Sequence, residues 1–440
     1  MGVIAVKKIV CLIVAAAAFL TFLPVCAIAA DPPAIDAKAA IVYEATTDTV
    51  LFELNADEKL YPASLTKIMT AVLAIENCDP DEIVTVTSAA INPLVNEGFH
   101  AYLIAGEKIS FLSLLEYLLI PSGNDAANAL AIASSGNIGD FVELMNSKAA
   151  AIGCTNTHFT NAHGLHDDDH YSTARDMLLI SEYAMQLPLF AETVRKTSMT
   201  LPVTNKHSQE TLLNTTNALL GKNGAEYIYK GTTGIKTGST TPAGLCLSAS
   251  YEKDGLLYYA VILGSKTTED GKKGNFLAAK SLFNYASQNF SMQTLLKQTT
   301  PITEIPVTVS PDGESVILLP KESISALLPN DFKSTDVKFS YDVPDSVEAP
   351  ISKGEEIGKV SVTYNGHDYG TIPLVSSSSF TRSDLLYKVK LVRAFFKSKG
   401  TLILIGLGAI VLIFIIIGIT RASRRRRKAR RYGSTRNRYR

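Results

Sequence analysis

Cysteine is scarce in this chain of 440 residues and shows no paired spacing. Of the five cysteines, Cys11 and Cys26 fall in an N-terminal apolar run, whereas Cys78, Cys154 and Cys246 are widely spaced and odd in number. They form no C-x-x-C pair, and their wide spacing and odd number give no disulfide framework, so we predict that each is a small apolar core residue. Internal repeats are also absent, which excludes a repeat architecture.

Acidic residues are missing from both ends of the chain. The first 29 residues carry Lys7 and Lys8 and no acid, and the last twenty carry eleven Lys and Arg and no acid. All 42 acids therefore lie between Ala30 and Thr420, together with only 29 bases. This acidic middle section argues against nucleic acid as a partner.

The N-terminus has the pattern of an export signal. Lys7 and Lys8 precede an apolar run from Ile9 to about Val25, and residues 27–29 form an A-x-A cleavage site. We predict a secretory signal peptide over residues 1–29. A lipoprotein signal does not fit, because Val25 is not the small residue required before Cys26.

The C-terminus has the pattern of a membrane anchor. Residues 401–420 carry no charge and are long enough to span a hydrocarbon core of about 30 Å. The basic tail, residues 421–440, predicts a cytoplasmic end under the positive-inside rule. Residues 377–400 are predicted to be a linker and an amphipathic juxtamembrane segment. We therefore expect a cell-membrane protein whose folded part lies outside the cytoplasm.

Hydrophobic periodicity divides the middle of the chain into two regions. Residues 30–298 begin with a predicted hairpin over Ala39–Leu54, continue with mainly helical segments, and end with two strands and a helix. This order predicts an α+β fold with a helical insertion. Residues 299–376 contain short β-like runs punctuated by Pro and Gly, which predicts a small all-β domain.

One short stretch carries candidate chemistry. Ser64 and Lys67 lie three residues apart at the start of a predicted helix, so their side chains share a face. A serine hydroxyl becomes a nucleophile when a base takes its proton, and a desolvated lysine can be that base. The alternative is a serine N-cap followed by a solvated lysine.

Two later stretches complete a known set of motifs. Ser122-Gly123-Asn124 lies between two predicted helices, and Lys236-Thr237-Gly238 leads towards a predicted strand. The ordered set S-x-x-K, S-x-N and K-T-G is the signature of the penicillin-recognising serine enzymes. Each motif alone is weak, whereas three in order in an exported chain are specific.

The sequence contexts narrow this resemblance to one family. PASLTKIMTA, LLIPSGNDAANALA, NAHGLHDDDHYSTARDM and GIKTGSTTPAGLCLSAS resemble the low-molecular-weight penicillin-binding proteins, D-alanyl-D-alanine carboxypeptidases of peptidase family S11. The likeness extends from about Ala39 to Val375. It implies an antiparallel sheet flanked by helices, of the serine β-lactamase and DD-peptidase type, followed by the β domain. It implies neither a metal nor a cofactor.

The resemblance also implies the catalytic roles. Ser64 would attack the carbonyl between two D-alanines of a peptidoglycan stem peptide, or the ring of a β-lactam. Lys67 would take the Ser64 proton, and Ser122 would pass a proton to the leaving amine. The expected function is a serine-type carboxypeptidase in cell-wall biogenesis and cell shape, acting through an acyl-enzyme.

The substrate-binding roles are implied in the same way. Asn124 would hold Lys67 and the substrate amide, while Lys236 and Thr237 would bind the terminal carboxylate. Gly238 would let the substrate approach the strand edge, since it has no Cβ. The backbone N–H groups of Ser64 and Ser239 would form the oxyanion hole.

Several alternatives stay open at this stage. The chain departs from its relatives at Asn275, where many carry an arginine for the substrate carboxylate; Lys272 and Lys273 are close by. An endopeptidase acting on cross-links belongs to the same enzyme class, and a non-hydrolytic wall-binding scaffold is an alternative from another class. The intact Ser64, Lys67, Ser122 and Lys236 count against the scaffold, because an inactive site has no reason to keep all four. Glu210-Thr-Leu-Leu-Asn214 mimics a class A β-lactamase motif.

Other polar clusters also allow more than one interpretation. His163, His166 and His170 could suggest a metal site, but a polar turn fits their spacing better. Arg175 and Asp176 are predicted to form a structural ion pair.

Overall fold

We analysed the protein as a computed structural model, which describes residues 31–96, 102–221 and 225–435. The predicted signal peptide over residues 1–29 lies outside the described residues. The chain divides into two compact units. One reaches to Met292 and includes Leu327–Phe332, and the other comprises Gln293–Ala326 and the chain from Lys333 onwards. The exact domain boundaries predicted from the sequence stay predictions.

The first unit is built on one five-stranded antiparallel sheet. Its order is β2-β1-β9-β8-β7, and β3-β4 and β5-β6 form two separate two-stranded sheets. The strands are β1 (Ala39–Glu44), β2 (Thr49–Leu54), β3 (Ile83–Thr85), β4 (Lys108–Ser110), β5 (Ser198–Leu201), β6 (Thr211–Asn214), β7 (Thr232–Thr240), β8 (Gly244–Lys253) and β9 (Leu256–Ser265).

Eight α-helices accompany these strands in the described chain. They are α1 (Thr66–Asn77), α2 (Ser88–Asn96), α3 (Phe111–Leu119), α4 (Asn124–Ser135), α5 (Ile138–Ile152), α6 (Ala174–Met185), α7 (Pro188–Val194) and α8 (Gly274–Asn289). The predicted α+β class with a helical insertion is confirmed, because most of the helices lie between β2 and β7 in the chain.

Alternation along the strands gives the sheet two buried faces. In β1, Ile41 packs in one apolar cluster with α1 and α6, while Val42 packs in the other with α8. Helix α1 is buried at every position from Thr66 to Ala74. A helix surrounded on all sides in this way is held rigidly, which matters because Lys67 lies in its first turn and Ser64 lies in the turn immediately before it.

Several short elements are not predicted by the sequence pattern. Helix α2 contains Pro93 in its interior, and α7 begins at Pro188. Proline removes a backbone donor and obscures a helical pattern, although it is well tolerated in the first turn. The hairpin of β5 and β6 is only four residues deep on each side, too short for a clear alternation.

The second unit contains a six-stranded sheet of order β14-β16-β17-β12-β11-β15. Its neighbours are antiparallel except β11 and β15, which are parallel. The remaining strands are β10 (Phe290–Leu296), β11 (Thr303–Thr308), β12 (Ser315–Pro320), β13 (Ile324–Pro329), β14 (Lys338–Asp342), β15 (Val347–Glu348), β16 (Glu356–Tyr364) and β17 (His367–Ser376). The all-β character predicted for this region is confirmed.

Two helices end the described chain: α9 (Asp384–Lys397) and α10 (Lys399–Thr435). Within α10, Leu402–Lys428 is the stretch of the described chain long and apolar enough to cross a membrane. The amphipathic segment predicted before the anchor corresponds to α9. Four apolar side chains of α9 are exposed: Leu385, Val389, Val392 and Phe396.

Candidate active site

Ser64 lies in a tight turn immediately before α1. Residues Ala63–Leu65 form one turn of 3-10 helix, and α1 begins at Thr66 with Leu65 as its N-cap residue. No side chain caps this end of the helix. The alternative of a serine N-cap with a solvated lysine is therefore wrong, since Lys67 is also fully buried.

Lys67 contacts three oxygen atoms at the base of the site. Its Nζ lies 2.9 Å from Ser64 Oγ, 2.7 Å from Asn124 Oδ1 and 2.7 Å from the carbonyl oxygen of His163. The amide and carbonyl oxygens can only accept hydrogen bonds. A neutral amine has two N–H groups for these two acceptors and one lone pair. That lone pair is left for the proton of the Ser64 hydroxyl.

The environment of Lys67 favours this neutral form. Burial, followed by the neighbouring charge of Lys236, lowers the pKa of Lys67 well below its usual range. The carboxylate of Asp125 opposes this shift but does not reverse it. A buried lysine with a lowered pKa is the arrangement that a general base at neutral pH requires.

One loop supports α1 from behind, and we call residues 160–170 the backing loop. Beyond the His163 contact with Lys67, the carbonyl of Ala162 in this loop accepts a hydrogen bond of 2.6 Å from the Thr70 hydroxyl. The left-handed Gly164 (φ +84°) lies so close to Ala63 that a Cβ would meet the Ala63 carbonyl oxygen at 1.9 Å. Glycine is therefore required at this position.

The S-x-N motif forms the connection from α3 to α4. Ser122 has a φ of +75°, in the left-handed region that serine rarely adopts, and Gly123 is the N-cap of α4. A Cβ on Gly123 would lie 2.8 Å from the ring of Tyr117. The connection thus places Asn124, the first residue of α4, against Lys67.

Strand β7 carries the K-T-G motif at the edge of the sheet. Lys236 is 1% exposed, and its Nζ donates to the Thr237 carbonyl at 3.1 Å. Burial lowers the pKa of Lys236 to about 7. The charge of Lys236 also contributes to the lowered pKa of Lys67, so Lys236 is the lysine of the two that would attract an incoming anion.

Gly238 is positioned against the turn Ala63–Leu65, which carries the candidate nucleophile Ser64 and which we call the nucleophile turn. A Cβ there would lie 2.9 Å from the Pro62 carbonyl oxygen and 3.0 Å from the Ser64 backbone nitrogen. The sequence analysis explained this glycine by the need for substrate to approach the strand edge. The structure gives it a further reason, because β7 could not pack this closely on the turn with a larger residue.

The motifs meet around one cavity of about 260 Å³. Its lining includes Ser64, Ser122, Thr237, Gly238 and Ser239, while Lys67 and Lys236 lie buried beneath it. The other lining residues are Thr216, Leu245, Lys273, Asn275 and Phe276. The eight candidate residues are therefore brought together by elements far apart in sequence.

Some residues of the site are missed by sequence reasoning. Thr216 lies in the cavity wall and accepts a hydrogen bond of 2.6 Å from the Thr237 hydroxyl. Its only sequence signal is the stretch Asn214-Thr-Thr-Asn217. Asn275 and Lys273, which the sequence analysis names at the place of the family arginine, also line the cavity. Asn275 is buried and donates to the Cys246 carbonyl.

The remaining polar clusters have structural contacts. Arg175 binds Glu53 and Asp57, whereas Asp176 accepts hydrogen bonds from Asn156 and Thr157. The predicted ion pair between Arg175 and Asp176 is therefore wrong: consecutive helix residues point in different directions. Glu210 is exposed and is not among the residues that line the cavity. Cys154 and Cys246 are buried, Cys78 is half-buried, and all three are free thiols, as predicted.

Comparison with known proteins identifies the family of this chain. Residues 26–267 match the family model of the D-alanyl-D-alanine carboxypeptidases, peptidase family S11, and residues 290–382 match the C-terminal domain of penicillin-binding protein 5. The chain belongs to the S11 family, as the motifs predicted. At the level of this family, the predicted serine-type D-Ala-D-Ala carboxypeptidase class is also confirmed.

Individual relatives cover most of the chain. It is 30% identical to the D-alanyl-D-alanine carboxypeptidase DacF of Bacillus subtilis, over 81% of this chain and 88% of the relative. It is 31% identical to the D-alanyl-D-alanine carboxypeptidase DacC of Escherichia coli, over 78% of this chain and 84% of the relative. Among solved structures, penicillin-binding protein 5 of Haemophilus influenzae matches with a TM-score of 0.59 at 29% identity, over 80% and 99%.

Proposed function

We propose that this chain removes the terminal D-alanine from peptidoglycan stem peptides, with Ser64 as nucleophile and Lys67 as its base. The observation that carries the proposal is the set of three contacts at Lys67 Nζ. Two are to oxygens that only accept, so a neutral lysine has its lone pair directed at Ser64 Oγ, 2.9 Å away. No metal is needed for this activation.

The proposed reaction has two halves. In the first, Ser64 Oγ attacks the carbonyl carbon between the two D-alanines and its proton passes to Lys67. The C–N bond breaks, the proton is relayed through Ser122 to the leaving amine, and an ester on Ser64 remains. In the second half, water adds to that ester and restores the Ser64 hydroxyl. A β-lactam would stop after the first half, since its leaving amine stays attached.

The proposed binding groups lie around the same cavity. Lys236 and Thr237 would receive the terminal carboxylate, and Asn124 would hold the substrate amide. The backbone N–H groups of Ser64 and Ser239 would stabilise the oxyanion, a contribution of about 3–4 kcal/mol for each donor. The packing of Gly238 against the Ser64 nitrogen supports this pairing of the two donors.

One experiment tests the proposed function. The full chain in detergent is incubated with a pentapeptide ending in D-Ala-D-Ala and, separately, with labelled penicillin. We expect free D-alanine and a covalent penicillin adduct, both lost in Ser64→Ala. If neither appears with the unmodified chain, the proposal is wrong. Release of D-alanine from cross-linked dimers but not from the pentapeptide would instead favour an endopeptidase.

We also propose that the chain is anchored by α10 with its basic end in the cytoplasm and the sheet-bearing units outside. The apolar stretch Leu402–Lys428 and the arginines of residues 421–431 support this orientation. Protease added to intact spheroplasts should remove the penicillin-binding part and leave an epitope tag on the C-terminus intact. A tag that is degraded under these conditions would contradict the orientation.

A further inference from the structure

His170 lies buried behind the nucleophile turn and hydrogen-bonds through both ring nitrogens. It is 2% exposed, with Nδ1 at 3.0 Å from the Thr160 backbone nitrogen and 3.3 Å from Thr160 Oγ1, and with Nε2 at 2.7 Å from Thr66 Oγ1. A backbone N–H can only donate, so Nδ1 accepts. A neutral imidazole carries one N–H, which must then be on Nε2 and point at the Thr66 hydroxyl.

The hydrogen bonds continue from Thr66 to the residue before the nucleophile. Thr66 Oγ1 accepts from His170 and donates to the Ala63 carbonyl oxygen at 2.8 Å. The Thr66 backbone N–H also donates to that oxygen. Ala63 has a φ of +49°, a left-handed conformation that alanine does not favour. The side chain and the backbone of Thr66 thus both hold the Ala63 carbonyl, and the Ala63 backbone is in a strained conformation.

The position of Ala63 sets the position of Ser64 Oγ. Ala63 precedes Ser64 directly, and its carbonyl faces the backing loop at Gly164. The same loop holds Lys67 through the His163 carbonyl. We expect a rotation of the Ala63 peptide to move Ser64 more than Lys67, because Ala63 lies against Gly164 whereas Lys67 is held separately by the His163 carbonyl.

We propose that His170 is a positioning residue for the acylation step: through the Thr66 hydroxyl it fixes the Ala63 peptide, and thereby keeps Ser64 Oγ in line with Lys67 Nζ. The inference rests on the proposed role of Ser64 as nucleophile. His170 does not line the cavity, and its contact with the turn that carries Ser64 is the hydrogen bond to Thr66.

The protonation state of His170 supports this assignment. Burial lowers the pKa of His170 to about 4, opposed by Asp167 and assisted by His158, Lys67 and His166. The ring therefore stays neutral at physiological pH, and the Thr160 N–H keeps the remaining proton on Nε2. A charged ring would present an N–H to the Thr160 N–H and lose that contact.

The test compares substitutions of His170 and Thr66 in the full chain. His170→Phe keeps a buried ring without hydrogen bonds, and His170→Gln can still donate and accept. Second-order acylation by labelled penicillin is measured per folded molecule, with kcat and KM for the pentapeptide and the melting temperature recorded alongside. For His170→Phe we expect acylation and kcat to fall about ten- to a hundredfold, the range that a displacement of up to about 1 Å produces. KM should stay within about twofold, because the substrate-binding groups are untouched.

Further variants separate positioning from simple loss of packing. Thr66→Val should reproduce the defect, Thr66→Ser should restore most of the rate, and His170→Gln should recover part of it. The double variant His170→Phe/Thr66→Val should be no slower than the slower single variant, since both break one chain of contacts. When the acylation rate is plotted against pH, the pH of half-maximal rate on the acid side should stay the same in these variants. The maximum rate should fall. His158→Gln is the matched control, an exposed histidine whose Nδ1 bonds the Asp169 carbonyl.

The opposite results would overturn the inference. Wild-type acylation by folded His170→Phe, or defects of the two single variants that multiply in the double variant, would show that His170 does not act through Thr66. A shift in the pH of half-maximal acylation would mean that His170 acts on the pKa of Lys67 instead. Absence of any Ser64-dependent adduct in the unmodified chain would overturn the proposed function, and this inference with it.

Discussion

Ser122 has the left-handed φ of +75°, and this conformation has an energetic consequence that can be measured. A left-handed backbone costs an L-residue about 1–2 kcal/mol, whereas glycine adopts it freely. We expect Ser122→Gly to raise the free energy of unfolding by up to about 1 kcal/mol, since the greater chain entropy of glycine offsets part of the gain. The same variant should lose most of its kcat, because the hydroxyl that we propose as the proton relay is gone. Denaturant unfolding and pentapeptide hydrolysis measure the two effects.

Ser122→Ala is the matched control for that prediction. It removes the hydroxyl and keeps a Cβ in the strained conformation, so activity should fall without any gain in stability. Equal stability of the alanine and glycine variants would contradict the role of backbone strain. Strain of this kind persists where surrounding contacts force it, here the connection between α3 and α4.

Two lysines with lowered pKa values predict the pH dependence of the reaction. In the proposed role, Lys236 would bind a carboxylate only while protonated, and burial lowers its pKa to about 7. Substrate binding should therefore weaken as the pH rises through about 7. The proposed base Lys67 would act only while neutral, so kcat/KM should also fall at acid pH, below its lowered pKa. The expected profile of kcat/KM is bell-shaped.

A substrate without the carboxylate separates the two limbs of that profile. A pentapeptide with an amidated C-terminus should be a poor substrate and should lack the alkaline limb, because Lys236 then has no anion to bind. The acid limb should remain, since Lys67 must still be neutral. If kcat/KM for the amidated peptide still falls at alkaline pH, a group other than Lys236 causes that fall.

At the scale of elements, the packing of β7 on the nucleophile turn leads to a third prediction. In Gly238→Ala the new methyl would meet the Ser64 nitrogen at 3.0 Å and the Pro62 carbonyl oxygen at 2.9 Å. The turn and the strand must separate, which displaces both proposed oxyanion donors. We expect penicillin acylation to fall about a hundredfold, the scale of one lost donor. Stopped-flow acylation measures this rate.

Gly139→Ala provides a control for the same change at a remote site. Gly139 lies in the exposed first turn of α5, where a Cβ would lie 3.3 Å from Oδ1 of Asn137, the N-cap residue of that helix. Acylation should be unchanged, and stability should change little, because crowding at the cap offsets the helix preference of alanine. Near-normal acylation by Gly238→Ala would contradict the close packing of β7 on the turn.

The same elements explain which parts of the site the sequence could predict. Ser64 and Lys67 are three residues apart, so a helical turn alone brings them together. The His163 carbonyl lies 96 residues beyond Lys67 and is a backbone atom, which no residue pattern can indicate. Thr216 is equally hidden, since its role depends on how its loop meets β7. Local spacing was therefore predictable, whereas contacts made by tertiary packing required the structure.

At the scale of the whole molecule, α9 connects the β-rich unit to the helix that can cross a membrane. Leu385, Val389, Val392 and Phe396 recur at helical spacing on one side, and Lys390, Arg393 and Lys397 lie on the other. The apolar side chains are exposed, with Leu385 71% and Phe396 55% accessible. A helix of this kind is suited to lie in the interface of an anionic membrane.

Two shortened chains test whether α9 binds membranes by itself. A chain ending after Lys397 lacks the apolar span and keeps α9, and a chain ending after Arg382 lacks both. The shorter chain still keeps the backbone pairing of Phe380 with Ile351 and the Thr381 contact with Asp312, so its fold should persist. We expect the longer chain to sediment with anionic vesicles and to be released by salt, while the shorter one stays in solution.

A substitution within the longer chain distinguishes specific insertion of α9 from charge attraction alone. Phe396→Glu places an acid on the apolar face and leaves Lys390, Arg393 and Lys397 in place. If the apolar face inserts, this change should abolish sedimentation, whereas binding through the bases alone would survive it in weakened form. Equal behaviour of the two shortened chains would contradict a membrane role for α9. In that case α10 alone would hold the catalytic unit at the membrane, and α9 would act only as a spacer.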